Sequence, residues 1–458
     1  MSLGAQNGFV YDGNEEKVLN SIFTTLDDAG VICCIAAGNE GSMADGESIT
    51  GVPAGYVTSD YADYGVVGSP STYDGNLSVA SVDNAKYASP AIEVDGTQIG
   101  YSDTVNAYNT LAGNTYDFVL VPGNGEEADY DGINVTGKVA VIKRGGISFV
   151  DKVNNADAAG AAVAIVYNNE SGIINMALDG TKLPAVSVSG EDADKLLKAK
   201  EKKVKFLAEM ASVDNPTGWQ SSSFSSWGPT PSLTLKPQIS GVGGSVLSAQ
   251  NDTTDGYQVM SGTSMATPDI TGITATLLSA VRTTWPFRNY TKQQQAELTE
   301  ALLLSSAQIL RDEYGDMYSP RKQGAGLADA YGAIDLLDTA KAYITDPIAN
   351  IGDDPEKTGR FTMTFHVQDT RDPDDWEEDE DDYYRELGIS YSFMCDTLVA
   401  DEDGNLMPYN GLYSAALGAD EVDVKTTAGG KEIGSTLTIA PGETKEVTVE
   451  VQLKDETM

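Results

Sequence analysis

The chain has 458 residues with 69 acidic and 29 basic side chains, so its formal net charge at pH 7 is −40. Such acidity repels nucleic acids and anionic membrane surfaces and argues against both as partners. The length predicts about three domains of roughly 150 residues each. With 41% hydrophobic residues and only three cysteines, the chain is expected to form packed cores without a disulfide framework.

The N-terminal residues predict one α/β layer. Residues 18–26 carry apolar side chains at helical spacing, and the apolar run 31–37 predicts a buried strand. A helix followed by a buried strand is typical of a parallel sheet, whose functional sites lie at the carboxyl ends of the strands. Residues 36–41, AAGNEG, lie at such an end and place Asn39 there. The first residues lack a basic segment followed by an apolar stretch, so no signal peptide or membrane span is predicted.

The middle of the chain changes character. Residues 65–84 predict a loop and another buried strand, after which residues 86–211 alternate between strand and helix patterns. Within this segment, the run 137–146, GKVAVIKRGG, predicts a strand, and Ser148 opens a helix with a capping-box pattern. The segment therefore looks like a separate domain inserted into the α/β layer.

Residues 260–268, MSGTSMATP, join a turn of small residues to an apolar pattern at helical spacing. A serine at a helix start lies among unpaired N–H groups at the positive end of the helix dipole. That environment favours the negative charge that develops during acyl transfer. The alternative is an ordinary Ser/Thr helix cap, which is common in proteins. Ser264 is the candidate nucleophile.

Four segments together resemble the subtilases, the subtilisin-like serine proteases: residues 36–39, 222–230, 235–239 and 260–268. The resemblance implies an α/β fold with a partial subtilisin-like parallel-sheet core. In that family Ser264 would be the nucleophile, and Asn39 would be the side-chain donor of the oxyanion hole. The substrate-binding residues that the resemblance implies are Ser2, Leu3, Gly4, Ala36, Ala37, Gly38, Gly262 and Thr263.

Three positions depart from the usual subtilase pattern. Asp269 stands where a non-catalytic histidine is usual, Gln238 where an aspartate is usual, and Val242 where a proline is usual. None of these positions is catalytic, so we expect the departures at Gln238 and Val242 to affect local turn geometry rather than mechanism.

The resemblance extends to the order of domains in large, lactocepin-like cell-envelope subtilases of Gram-positive bacteria. The insertion resembles a protease-associated domain, whose role would be substrate access or positioning. The C-terminal residues alternate apolar and polar side chains with period two and resemble a fibronectin type III-like β-sandwich. The predicted domains are core residues 1–85 and 212–345, the insertion 86–211 and the β domain 346–458.

An acidic stretch lies within the predicted β domain. Residues 372–382 are dense in carboxylates, and Ca²⁺ takes six to eight oxygen ligands. The spacing of an EF-hand loop is absent, so a solvated acidic loop is the favoured interpretation and structural calcium the alternative. No cofactor is expected to be required.

The single histidine limits what these residues can do. His366 lies on the polar face of a strand in the β domain, whereas a subtilase carries its catalytic Asp and His before Asn39. A serine hydroxyl needs such an imidazole to become a nucleophile. We therefore expect a fragment without the triad Asp and His, inactive alone. Its core would expose apolar surface that favours dimerisation.

The favoured hypothesis is an extracellular, cell-envelope-associated endopeptidase that acts on proteins or peptides. The alternative is a non-catalytic peptide-binding or adhesion module derived from a subtilase. The coding sequence upstream of Met1 would distinguish them, because an in-frame Asp and His support the enzyme.

Overall fold

The computed structural model describes residues 1–4, 14–41, 67–102, 107–169, 176–230, 232–250, 257–338, 342–375, 383–398 and 412–454. The chain divides into two compact units. The core unit comprises residues 1–83, 219–244 and 260–458, and the inserted unit comprises residues 84–218 and 245–259.

The α-helices of the described residues are α1 (Asn14–Asp28), α2 (Ala107–Leu111), α3 (Phe149–Ala158), α4 (Gly190–Leu197), α5 (Thr263–Thr283), α6 (Lys292–Ser306), α7 (Pro320–Gln323) and α8 (Ala330–Asp338). The strands are β1 (Cys34–Ala36), β2 (Leu77–Asp83), β3 (Lys86–Ser89), β4 (Ala91–Val94), β5 (Thr97–Gly100), β6 (Thr115–Leu120), β7 (Val139–Lys143), β8 (Val163–Tyr167), β9 (Ala185–Val188), β10 (Lys203–Phe206), β11 (Ala211–Asp214), β12 (Ile239–Gly244), β13 (Val246–Ala249), β14 (Tyr257–Met260), β15 (Ala342–Ile344), β16 (Arg360–Asp369), β17 (Arg385–Gly388), β18 (Met394–Leu398), β19 (Leu412–Ala416), β20 (Val422–Ala428), β21 (Lys431–Ile433), β22 (Thr436–Ile439) and β23 (Thr444–Leu453).

A parallel sheet lies at the centre of the core unit, with its described strands in the order β1, β2, β12. Cys34 of β1 lies opposite Leu77 of β2, and Ile239 of β12 lies opposite Val79 on the other side of β2. Helices α5 and α6 pack their apolar residues into the same cluster as these strands. Because β2 is covered on both faces, it is buried along nearly its whole length. The predicted parallel α/β core is confirmed.

Helix α1 forms where the apolar spacing predicts, but only part of its apolar face is covered. Phe23 is buried against Tyr73, with the ring centroids 5.9 Å apart. Val18, Leu19 and Ile22 are 58%, 46% and 47% exposed. An apolar patch therefore remains on the surface of the described residues, beside the parallel sheet.

Two ionisable side chains lie in the interior of the core unit. The ammonium group of Lys236 donates to the carbonyl oxygen of Tyr73 at 2.8 Å and to the carbonyl oxygen and Oδ1 of Asn76 at 3.0 and 2.8 Å. These bonds hold the turn that precedes β2. Burial lowers the pKa of Lys236 to about 7. Burial, and then the charge of Asp27, raises the pKa of Glu300 to about 7, while Lys236 opposes this shift.

We expect Glu300→Gln to stabilise the core unit more at pH 8 than at pH 5. The pKa of Glu300 rises from 4.5 to about 7 on folding, so the folded state binds the extra proton between these values. The free energy of unfolding must then fall as pH rises through this window, by at most about 3 kcal/mol. Glutamine has no such loss. Apparent melting temperatures at both pH values test this, with Glu356→Gln at an exposed position as the control. An equal gain at both pH values would contradict it.

The inserted unit is built around a seven-stranded sheet in the order β5, β4, β10, β6, β7, β8, β9. Strands β6 to β9 are parallel, whereas β4, β5 and β10 pair antiparallel. Alternate residues of β7 enter two separate apolar cores, one on each face of the sheet. Ser148 Oγ accepts the N–H of Asp151 at 3.1 Å, so the predicted helix cap of α3 is confirmed. Residues 245–259 group with this unit.

The C-terminal residues of the core unit form a five-stranded antiparallel sheet in the order β15, β16, β23, β20, β21. Phe361 lies opposite Val451, and Phe365 lies opposite Val447, so the apolar residues of β16 and β23 share one face. The predicted period-two alternation is confirmed. Strand β15, at residues 342–344, already belongs to this sheet.

Candidate active site

Ser264 is the second residue of helix α5, and Gly262 is the residue that caps the helix start. The N–H of Gly262 donates to the carbonyl oxygen of Gly243 at 2.9 Å, which ties the turn to strand β12. The predicted helix start is confirmed. Because the first N–H groups of a helix have no partner within it, the Ser264 hydroxyl lies at the positive end of α5.

Two glycines let helix α5 lie directly on strand β12. A Cβ atom on Gly243 would lie 2.5 Å from the carbonyl oxygen of Gly262, and one on Gly241 would lie 2.8 Å from Cγ1 of Ile270. Both distances are shorter than non-bonded atoms allow, so larger residues here would push the helix away. The position of Ser264 therefore depends on close contact between α5 and β12.

Asn39 follows β1 and reaches the start of α5. Its Oδ1 accepts the backbone N–H of Thr263 at 2.9 Å and is 3.0 Å from the Thr263 hydroxyl. The Nδ2 group of Asn39 has no acceptor among the described residues. It lies beside Gly262, because a Cβ atom added to Gly262 would be 3.5 Å from this nitrogen. Asn39 thus presents an exposed amide donor beside the turn that carries Ser264.

Thr263 holds the other side of this arrangement. It is fully buried, and its hydroxyl lies 3.2 Å from both the N–H nitrogen and the carbonyl oxygen of Gly38. The sequence predicted Thr263 as a substrate-binding residue, whereas its side chain contacts the Asn39 segment.

The Gly38 position requires glycine. Its φ is +117°, and a Cβ atom there would lie 2.4 Å from Oε2 of Glu40 and 2.7 Å from Oγ of Ser226. Ser226 donates its hydroxyl to Glu40 at 2.7 Å and its N–H to the Gly38 carbonyl at 3.1 Å. Ser226 and Glu40 support the Asn39 segment, and no local signal in the sequence identified either residue.

Ser2 lies against Ser264, the candidate nucleophile. The Ser264 hydroxyl donates to the carbonyl oxygen of Ser2 at 3.1 Å, and the Ser2 hydroxyl donates to the carbonyl oxygen of Ser264 at 2.9 Å. Met1 pairs with β1, because its carbonyl accepts the Ala36 N–H at 3.0 Å and its amino group donates to the Cys34 carbonyl. The N-terminal residues are therefore an extended segment along the sheet, next to Ser264.

The other predicted substrate-binding residues differ in accessibility. Leu3 is 76% exposed, while a Cβ on Gly4 would lie 2.8 Å from the Ser69 carbonyl oxygen. The Ala37 side chain is fully buried, its N–H donates to the Val79 carbonyl, and its carbonyl accepts the Gly68 N–H. Ala37 can therefore shape the site only as part of the sheet.

His366 is engaged elsewhere. Its Nδ1 lies 2.9 Å from Oδ2 of Asp346, and its Nε2 lies 3.7 Å from a carboxylate oxygen of Glu446. The hydrogen bond with Asp346 raises the pKa of His366. The strand position predicted for this residue, in β16, is confirmed, and Ser264 has the Ser2 carbonyl, rather than an imidazole, as its hydroxyl acceptor.

The departures from the subtilase pattern make defined contacts. Gln238 Oε1 accepts the N–H of Ser78 at 2.8 Å, joining the start of β12 to β2. Asp269 Oδ2 accepts the N–H of Val242 at 3.0 Å.

The described residues contain no group of three or more His, Cys, Asp or Glu side chains that could hold a metal ion. Most of the acidic stretch 372–382 is not covered by that statement, because residues 376–382 lie outside the described ranges. No helix in the described part of the chain is both long and apolar enough to cross a membrane.

Comparisons with known proteins agree with this geometry. The profile of the subtilase family matches residues 1–332. A C5a peptidase of Streptococcus pyogenes is 33% identical over 321 residues, covering 69% of this chain and 26% of that protein. A PII-type proteinase of Lactococcus lactis subsp. cremoris is 33% identical over 397 residues, covering 80% of this chain and 20% of that protein.

Among solved structures, the psychrophilic subtilisin-like protease Apa1 of Pseudoalteromonas sp. AS-11 is 17% identical, with a TM-score of 0.38, over 74% of this chain and 70% of that one. The chain spans about a quarter or less of the length of these two curated relatives. The family match covers most of the chain and includes every predicted site residue. The chain therefore belongs to the subtilase family.

Proposed function

We propose that this chain carries the nucleophile and the oxyanion-hole side of a subtilisin-like serine endopeptidase that hydrolyses proteins or peptides. The observation that supports the proposal most directly is Asn39, whose oxygen is bonded to Thr263 while its Nδ2 faces the turn before Ser264. An amide held in this way is a preorganised donor for a developing oxyanion.

In the proposed mechanism Ser264 Oγ attacks the scissile carbonyl carbon while an imidazole takes the hydroxyl proton. Asn39 Nδ2 and the backbone N–H of Ser264 donate to the oxyanion. Return of the proton to the leaving amine gives an acyl-enzyme on Ser264, which water hydrolyses. The single histidine of these residues, His366, is bonded to Asp346, so the proposed mechanism takes its imidazole from other polypeptide. The subtilase pattern implies the same source for the carboxylate.

Substrate would lie in extended form beside Ser2, Leu3 and Gly4, across from Gly38 and the Gly262 turn. The names of the streptococcal and lactococcal relatives, a peptidase and a proteinase, support a protein or peptide substrate. Their sources also support an extracellular, cell-envelope location. The mechanism needs no cofactor, and structural calcium at residues 372–382 remains a prediction.

We further propose that the inserted unit is a protease-associated domain that controls substrate access and that the C-terminal sheet belongs to a fibronectin type III-like domain. The mixed sheet with an apolar core on each face supports the first assignment. The antiparallel sheet with period-two alternation supports the second. The exposed apolar residues of α1 support self-association of the isolated chain.

One observation favours a second candidate, a non-catalytic peptide-binding module: the Ser264 hydroxyl has a carbonyl rather than an imidazole as its acceptor. Such a module would bind peptides along residues 2–4 without cleaving them.

A labelling experiment separates the two functions. We compare the 458-residue chain with the product read from any in-frame start upstream of Met1, using a fluorophosphonate probe and casein. We expect no labelling of the chain alone, and labelling at Ser264 together with hydrolysis for a product that carries the triad histidine. Ser264→Ala is the control. Efficient casein hydrolysis by the 458-residue chain alone would refute the need for an external imidazole. If the longer product binds peptides but is not labelled by the probe, the second candidate is supported.

A further inference from the structure

Two of the three departures from the usual subtilase pattern are bonded to each other. Asp269 Oδ2 accepts the N–H of Val242 at 3.0 Å. Subtilases usually carry histidine and proline at these two positions, and proline has no N–H to donate. The bond therefore requires that position 242 is not proline, and here the carboxylate of Asp269 accepts it.

The bond completes the outer edge of strand β12. This strand pairs with β2 on one side only within the described sheet, so its outward N–H groups need other acceptors. Ser240 donates its N–H to the Gly326 carbonyl at 2.8 Å. Two residues further along β12, the Asp269 carboxylate provides the acceptor for Val242. The Asp269 carboxylate, on helix α5, thus accepts the hydrogen bond that the backbone carbonyl of a neighbouring strand would otherwise accept.

The same bond fixes helix α5 along the strand. Asp269 lies five residues after Ser264, on the helix that the Gly262 N–H and the Gly241 contact already hold against β12. A charged acceptor makes a stronger hydrogen bond than a neutral one. Burial raises the pKa of Asp269, and the Val242 N–H opposes that shift because it stabilises the carboxylate.

We propose that Asp269 is a positioning residue for Ser264 and that it forms, with Val242, a coupled pair replacing the usual histidine and proline. The pair sets where helix α5 lies on β12 and hence where the nucleophile lies relative to Asn39. The proposal rests on the proposed function, because the position of Ser264 matters only if it is a nucleophile.

A double-mutant cycle in the 458-residue chain tests the coupling without any need for activity. We measure hydrogen-exchange protection of the first turns of α5 in Val242→Pro, Asp269→Ala and the double variant. Each single change should lower protection at least about tenfold, since it removes one charge-assisted bond. The double variant should lose no more than the worse single change. Thr276→Ala, whose hydroxyl bonds only to Gly272 within the helix, is the neutral control.

Two further variants distinguish a specific pair from general damage. Asp269→Asn keeps an acceptor oxygen for Val242 and should retain most of the protection. Val242→Pro combined with Asp269→Asn should lose as much protection as Val242→Pro alone, because no N–H remains for the amide oxygen. Additive losses in the cycle, or an Asn variant as damaged as the Ala variant, would overturn the coupling.

Kinetics of the histidine-bearing product test the positioning role. Val242→Pro and Asp269→Ala should each lower kcat by a larger factor than they raise KM, because the helix that carries Ser264 moves while Met1 keeps the N-terminal segment paired with β1. An unchanged kcat in both single variants would show that the bond between Asp269 and Val242 does not position Ser264, and this result would overturn the proposal. If the unmodified product shows no labelling of Ser264, the proposed function fails, while the exchange cycle still decides the coupling.

Discussion

Replacing Asn39 with alanine is expected to lower kcat for peptide hydrolysis about 10²–10³-fold in the histidine-bearing product. This is the size of loss measured when a side-chain donor is removed from the oxyanion hole of subtilisin, itself a subtilase. The expectation follows from geometry. The Asn39 oxygen accepts the Thr263 N–H at 2.9 Å, so the amide nitrogen is held for the oxyanion and needs no reorganisation when charge develops.

A second variant of Asn39 separates its role as hydrogen-bond donor to the oxyanion from its role as acceptor for the Thr263 N–H. Asn39→Ala removes both the Nδ2 donor and the acceptor for Thr263, so some loss of stability accompanies the loss of rate. Asn39→Asp keeps an acceptor for Thr263 but replaces the donor with a second carboxylate oxygen. We expect the Asp variant to melt near the unmodified protein and to lose at least as much kcat as the Ala variant. A kcat within about threefold of the unmodified value in Asn39→Ala would exclude Asn39 as the oxyanion donor.

Asp369→Ala is expected to destabilise the C-terminal sheet by about 3–5 kcal/mol. Asp369 Oδ1 lies 2.9 Å from Nε of Arg371, and the two side chains are 0% and 2% exposed. Arg385 approaches the other carboxylate oxygen at 3.6 Å. The Arg371 guanidinium also donates to the Ile439 carbonyl at 3.4 Å, so the cluster joins the end of β16 to β22. Removing Asp369 takes the buried carboxylate away from the buried Arg371 guanidinium, which costs far more than the pair contributes.

An exposed pair in the same sheet is the control. Lys425 and Glu450 lie on opposite strands with 3.4 Å between their charged atoms and side chains 52% and 55% exposed. Glu450→Ala should cost less than about 1 kcal/mol, because water screens this pair. Hydrogen exchange of β16 and β23 measures both changes locally, and the Asp369 variant should lose more than about 100-fold protection. Equal losses in the two variants would contradict the role of burial.

Local sequence patterns were sufficient to predict the positions of the main site residues. Ser264 occurs where a small-residue turn becomes a helical apolar pattern, and Asn39 occurs where a buried strand ends. Both patterns depend on neighbouring residues only, so they could be recognised without coordinates. The helix cap at Ser148 and the alternation in β16 and β23 were predictable for the same reason.

Contacts between distant segments were not predictable from these patterns. The bond between Asn39 and Thr263 joins residues 224 positions apart, and Ser226 meets Glu40 across 186 positions. Likewise, the sequence showed that Asp269 and Val242 differ from the usual pattern, but not that one bonds the other. The exposure of individual side chains was also not predictable. The apolar spacing of α1 predicts an amphipathic helix, but not which apolar residues of that face are covered.

The sequence by itself determined the family, the candidate nucleophile and the lack of a histidine before Asn39, because each depends on residue identity within a short segment. Only the tertiary structure decided which atom of Asn39 is free to donate, which residues hold it, and how helix α5 is attached to β12. These features depend on distances between segments far apart in the chain, and such distances arise only when the strands and helices pack together.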